Sequence, residues 1–171
     1  ICNKSPYPPN EGGSLGMYVF IKGMIEAGHH VKVLAFNTNK SYVHPAEIPE
    51  SFQEQTGIEF VDLDLTVKPI DAFLNLFSVK SFHIQRFYSD EFKKKLIQIL
   101  RKEDFDIVQV EYLPMAVYRG VMREHSKARI IFRSHNIEHL IWKRITENTR
   151  NPLKKWYLAH LTRKLKKFEL S

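Results

Sequence analysis

Cysteine is almost missing from this sequence: Cys2 is the only one among 171 residues. No intrachain disulfide can form, and a reducing cytoplasm is the expected compartment. Long apolar runs are missing too. The longest, such as Met17 to Ile21, hold about five residues, against the ~20 that a membrane-spanning helix needs. There is no internal repeat at the roughly 20–50-residue periods of solenoids, and no low-complexity tract, so repeat arrays and disordered arms are excluded. No initiator methionine precedes Ile1, and no basic stretch followed by an apolar one reads as a targeting peptide. The start is expected to be clipped.

Dinucleotide, P-loop and zinc signatures are absent as well. Glu11-Gly12-Gly13-Ser14 is neither G-x-G-x-x-G, because Ser14 takes the place of the second glycine, nor a Walker A loop, because no Gly-Lys-Ser/Thr follows. His135 and His139 stand one helical turn apart, but the sequence is not H-E-x-x-H and offers no third ligand at zinc spacing. No metal is expected.

What is present is a chain 43% hydrophobic, long enough for one domain over 1–171 with a full core and too short for two large ones. Its formal net charge of +7 admits a nucleic acid, an anionic membrane surface or a phosphorylated substrate as partner.

Short β-branched runs alternate with helical patterns. Ile1–Asn3 reads as the tail of a strand, followed by the turn-rich stretch 4–13. Ser14 can cap a helix over about 15–27, with Gly28 at its C′ position. Strands are expected at 31–36, 58–63, 106–111 and 129–133, and 37–57 reads as a polar connection. Pro69–Phe77 can form a helix, and 78–88 has no clean period. Ser89, Asp90 and Glu91 open a helix over 90–103 that Arg101 and Lys102 close, with charges that complement the helix dipole. Further helices are expected at 113–123, at 137–148 capped by Asn136, and from Asn151-Pro152 onward. In the last helix, Leu153, Tyr157, Leu161, Leu165 and Phe168 fall near one face, and Lys154, Lys155, Arg163, Lys166 and Lys167 lie mostly elsewhere. Such a basic amphipathic helix either packs on the sheet or lies on anionic headgroups.

Alternating strands and helices predict an α/β fold: a Rossmann-like, doubly wound parallel sheet with helices on both faces. Ligands of such sheets sit beyond the carboxyl ends of the strands. Three segments meet that condition. The Gly12-Gly13 loop lets a backbone approach a ligand and presents N–H groups at a helix start, though a bare Pro/Gly turn has the same composition. The strand end at 109–112 carries Glu111 and Tyr112, and the strand end at 133–138 carries Arg133-Ser134-His135-Asn136-Ile137-Glu138.

Read together, KSPYPPNEGGSLGMYVFIKGMIEAGHHVKVLAF at 4–36, FDIVQVEYLPMA at 105–116 and ARIIFRSHNIEHLIWKR at 128–144, with FHIQRFYSDEF at 82–92 more loosely, resemble the N-terminal domain of a GT-B glycosyltransferase of the retaining, family 4-like group. The resemblance implies an acceptor-side half facing a donor-binding half across a cleft. It places Gly12 and Gly13 on the family's first glycine loop and His135 on its strand-end His-Asn position. Glu111 stands where many relatives have histidine. His135 and Glu111 become the expected catalytic residues, and Gly12, Gly13, Tyr112, Asn136 and Arg86 the expected substrate contacts.

The same resemblance implies transfer of a sugar from a nucleotide sugar to a glycan or lipid-linked acceptor, without a metal or resident cofactor. It implies a missing C-terminal donor domain, so this chain alone is expected to be inactive. The implied location is the cytoplasm, peripheral at the inner face of the membrane. Two other classes compete: a basic nucleic-acid-binding module, which lacks an RRM, KH or zinc-finger signature, and a noncatalytic interaction domain on the same fold.

Overall fold

A computed structural model describes residues 1–67 and 69–171, the side chains of Pro69, Asp71 and Ala72 excepted. Helix α1 spans Gly12–Glu26 and leads to strand β1, Leu34–Thr38. Helix α2, Glu50–Thr56, precedes β2, Glu59–Leu63. Then come α3, Pro69–Leu74, α4, Phe82–Gln85, and α5, Asp90–Lys102. Strand β3, Ile107–Glu111, is followed by a 3₁₀ stretch, Leu113–Tyr118, and α6, Arg119–His125. Strand β4, Arg129–Arg133, α7, Glu138–Glu147, and α8, Pro152–Glu169, complete the chain.

The architecture is mixed α/β. β1 pairs with β2 and β3 with β4, both in parallel, and among the described residues regular ladders are confined to these two pairs rather than extending through one four-stranded sheet. Cys2 joins them by isolated parallel bridges to Ala35 and to Glu111. Its N–H donates to the Leu34 carbonyl at 2.9 Å, and the Glu111 N–H donates to the Ile1 carbonyl at 3.0 Å.

Successive strand residues face opposite sides, and the core divides accordingly. Leu34, Phe36, Val108 and Val110 pack with Phe92, Leu96, Ile99 and Leu100 of α5 and with Tyr118 and Met122. Cys2, Val33 and Ala35 pack on the other side with Met17 and Ile21 of α1 and Phe52 of α2. Burial pushes the Cys2 thiol up to about 11, which leaves it inert. A third cluster, Ile84, Leu113 and Leu165, seats α8. Ahead of Ile1 a groove of about 560 Å³ opens between residues 31–34 and 106–109. Among the described residues no helix is long and apolar enough to cross a membrane.

Several local expectations hold for the reasons given. Ser89 accepts from the Phe92 N–H, and Asn151 accepts from Lys154 at 2.9 Å. Gly28 takes φ +86° after α1, so the His29 N–H reaches back to the Met24 carbonyl and the Gly28 N–H to Ile25.

Others are corrected. α1 begins at Gly12, so Gly12 and Gly13 form its first turn, and Ser14 donates its hydroxyl proton to the Glu11 carbonyl instead of capping. The strand expected at 31–36 runs over Leu34–Thr38, because the buried Asn37 amide satisfies itself on both the N–H and the carbonyl of Val43. The supposed polar connection holds α2, whose Phe52 and Thr56 are buried. The helix expected at 113–123 splits into the 3₁₀ stretch containing Pro114 and then α6. Asn136 does not cap α7: the Glu169 carboxylate, from the end of α8, accepts from the N–H groups of Glu138 and His139 at 2.8 Å each. α8 buries Leu158, Leu161 and Leu165, whereas Leu153 is exposed.

Candidate functional site

β3 and β4 end side by side, because the parallel register sets Glu111 opposite Arg133. Glu111 is only 4% exposed. Its carboxylate is nevertheless well supplied. His135 Nε2 lies 2.6 Å from Oε2, the Arg133 guanidinium donates to Oε1 at 3.2 Å, and Gln109 Nε2 donates to Oε1 as well. Gln109 and Glu111 are two apart on one strand and so share a face. An ionised carboxylate only accepts, so the proton in the His135 contact sits on Nε2.

Arg133 ties this cluster to α1. It donates to the Gly16 carbonyl at 3.1 Å and lies 5.1 Å from the Phe20 ring centroid. A Cβ on Gly16 would come 3.5 Å from the guanidinium, so a small residue fits there. Gly12 and Gly13 sit one turn earlier. A Cβ on Gly12 would meet nothing within 4 Å, and one on Gly13 would meet Lys4 Nζ at 3.2 Å. Lys4 is ion-paired with Glu11, the N-cap residue, which makes no side-chain cap bond. The first turn of α1 thus presents its N–H groups beside a lysine, a favourable place for a phosphate or carboxylate.

Tyr112, directly after Glu111, has φ +78° and ψ 139°. A residue bearing a Cβ is rarely found there, and such conformations gather at functional sites. Its ring turns away from the Glu111 cluster: the hydroxyl donates to Glu138 at 3.4 Å, and burial pushes its pKa up. Glu138, 6% exposed, has its own carboxyl raised, first by burial and then by the charge of Glu169. Hydrogen bonds from Tyr112 and Asn136 and the charge of His135 oppose that rise. Arg86 lines the same side, in a cavity of about 180 Å³ shared with Tyr112 and Glu138.

No family model, curated protein or solved structure matches the chain.

Of the residues picked out by sequence, Glu111 and His135 are in contact, and Tyr112, Asn136 and Arg86 gather around Glu138 next to them. Gly12 and Gly13 approach through α1, with Lys4 rather than Glu111 or His135 as the neighbour of Gly13. His139 stands apart, bonded through Nδ1 to Glu169 at 2.7 Å. Among the described residues no group of three or more His, Cys, Asp or Glu side chains is arranged to hold a metal. Gln109, Arg133 and Glu138 fall within the strand-end segments 109–112 and 133–138, but sequence reasoning gives none of them a role. For Arg133 a signal existed: an arginine and a glutamate end two strands expected to pair in parallel.

Proposed function

We propose that this chain is the acceptor-side half of a retaining GT-B glycosyltransferase, binding a sugar or lipid-linked acceptor that receives a sugar from a nucleotide-sugar donor. The observation that carries the reading is the Glu111–His135 contact at the carboxyl ends of parallel strands, tied through Arg133 to the helix that bears Gly12 and Gly13. The spatial order β2, β1, residues 1–2, β3, β4, with helices on both faces, supports a Rossmann-like doubly wound sheet, in which ligands bind at that edge.

In this reading, His135 offers one ring nitrogen toward the substrate while Glu111 holds the other. Glu111 is a positioning residue, because its oxygens are occupied by His135, Arg133 and Gln109 and it is too buried to attack a sugar carbon. Orientation of the acceptor, not nucleophilic attack by the protein, is then the contribution of this half. Donor phosphates depart toward cationic groups and the α1 N-terminus, with no metal or cofactor required.

The start of α8 supports a membrane-side setting at the inner leaflet. Leu153 and Trp156 are 79% and 63% exposed, and Lys154 and Lys155 lie between them, the pairing of apolar and basic groups that anchors interfacial helices.

The discriminating experiment measures binding of neutral and lipid-linked oligosaccharides to this chain against binding of oligonucleotides over a salt series. Sugar binding that persists at high salt, with oligonucleotide binding steeply salt-dependent and non-specific, supports the acceptor-side reading. Tight, sequence-selective oligonucleotide binding with no sugar binding points to a nucleic-acid module, and binding of neither points to a noncatalytic interaction domain.

A further inference from the structure

Beside the Glu111–His135 edge lies the cavity of about 180 Å³ whose polar walls are Lys40, His83, Arg86, Tyr112 and Glu138. Lys40 follows β1, Arg86 lies in the connection after β2, Tyr112 follows β3 and Glu138 follows β4.

Arg86 carries a charge that the described fold does not neutralise. Its partners are the Leu65 carbonyl and the Phe82 ring, whose centroid lies 5.7 Å away, and neither is an anion. A guanidinium offers several more N–H donors than one carbonyl can take. Burial accordingly draws the Arg86 pKa below its usual value. Lys40 adds a second cation and makes no hydrogen bond or ion pair among the described residues. His83 Nε2 is buried without a partner. The same cavity also holds Glu138, a buried carboxyl reached by the Tyr112 hydroxyl. The half-buried Arg86 has no anion among its own partners, and it shares the cavity with the exposed Lys40 and an unpartnered imidazole.

We propose that this cavity is an oxyanion subsite: it takes a carboxylate or phosphate group carried by the acceptor, with Arg86 and Lys40 on the anion and Glu138 and Tyr112 on neighbouring hydroxyls. The proposal rests on the acceptor-side reading and adds to it the chemical class of the acceptor, a sugar or polyol bearing an anionic group. Arg86 is the residue best suited to the anion, because its planar fork matches a carboxylate or phosphate in a way a single ammonium does not.

The test titrates inorganic phosphate into the whole chain near neutral pH and follows the Arg86 Nε–H and Trp142 indole N–H signals, Trp142 being a wall of the cavity. Arg86→Gln is expected to weaken binding by roughly tenfold, the loss of a charge-assisted hydrogen bond. Arg86→Lys, which keeps charge and stem, retains part of the binding, and Glu138→Gln leaves it equal or tighter. Phosphate shifts that spread over the α8 lysines and ignore Arg86→Gln overturn the proposal.

A second arm compares oligosaccharides with and without a phosphate or carboxylate. Tighter binding of the charged sugar, lost in Arg86→Gln, supports the subsite. Equal binding of charged and neutral sugars, with shifts at His135, overturns the subsite and leaves the acceptor-side reading in place. Phosphate bound through Arg86 with no sugar bound at all leaves an oxyanion site and overturns the acceptor-side reading.

Discussion

Glu111 Oε2 and His135 Nε2 meet at 2.6 Å across 24 residues of sequence, because parallel β3 and β4 end at the same edge. Glu111 is buried there between a histidine and an arginine. Removing its carboxylate leaves Arg133 without its counter-charge. Glu111→Ala is therefore expected to destabilise the fold by about 3 kcal/mol, and Glu111→Gln by less, since the amide still accepts from Arg133. Urea denaturation measures both. Equal and negligible losses would mean that the cluster contributes nothing to the fold.

Tyr112 supplies a second test, one that separates backbone strain from side-chain packing. Glycine normally destabilises relative to alanine, but at φ +78° a Cβ is the liability. Tyr112→Ala and Tyr112→Gly both lose the ring and hydroxyl and differ only in that Cβ. The glycine variant is expected to be the more stable by about 1–2 kcal/mol. The ordinary order, alanine above glycine, would show that Tyr112 is unstrained in solution.

The pH dependence of stability follows from His83, whose ring lies tilted by 37° against Trp142 with centroids 3.9 Å apart. Burial, aided by the charge of Arg86, pushes its pKa down to about 4. An unfolded histidine titrates near ~6.5. Between those values the unfolded chain binds a proton that the folded chain refuses, so the stabilisation is complete above the higher value and is lost as pH falls toward the lower. His83→Phe keeps an aromatic ring against Trp142 without the titration. It is expected to flatten the fall in melting temperature over that window, by the equivalent of about 2 kcal/mol. An unchanged slope would assign the acid sensitivity to other groups.

How much of this is legible in sequence depends on whether the controlling interaction is local. α5 is readable because Ser89, Asp90, Glu91, Arg101 and Lys102 all act within the helix they bound. β4 falls on 129–133 as its β-branched run indicates. The Asn37–Thr38 end of β1 is not readable, since those polar residues are buried only because Val43 folds back onto the Asn37 amide. The α7 cap is less readable still: Asn136 is the local candidate, and the acceptor is Glu169, 31 residues from the Glu138 N–H it caps. At the site, Glu111 and His135 stand out as polar residues at strand ends. The conformation of Tyr112 does not, because no residue type advertises a positive φ imposed by the chain around it.

α8 carries the membrane-side expectation. Lys154, Lys155, Lys166 and Lys167 are exposed, as are Leu153 and Trp156. Co-sedimentation with anionic vesicles is expected to fall with added salt and with reversal of the four lysine charges. Trp156→Ala is expected to weaken it further at fixed salt, through loss of the interfacial ring. Equal binding to neutral and anionic vesicles, or none to either, would mark α8 as a structural helix only.

The most direct measurement is an amide chemical-shift map of the whole chain titrated with acceptor-type oligosaccharides, repeated with His135→Ala. The acceptor-side account predicts shifts at Gly12, Gly13, Tyr112, His135 and Glu138 together, with affinity reduced by roughly tenfold in the variant as a direct hydrogen bond is lost. Shifts confined to the amino ends of the strands, or an affinity that His135→Ala leaves unchanged, would contradict it.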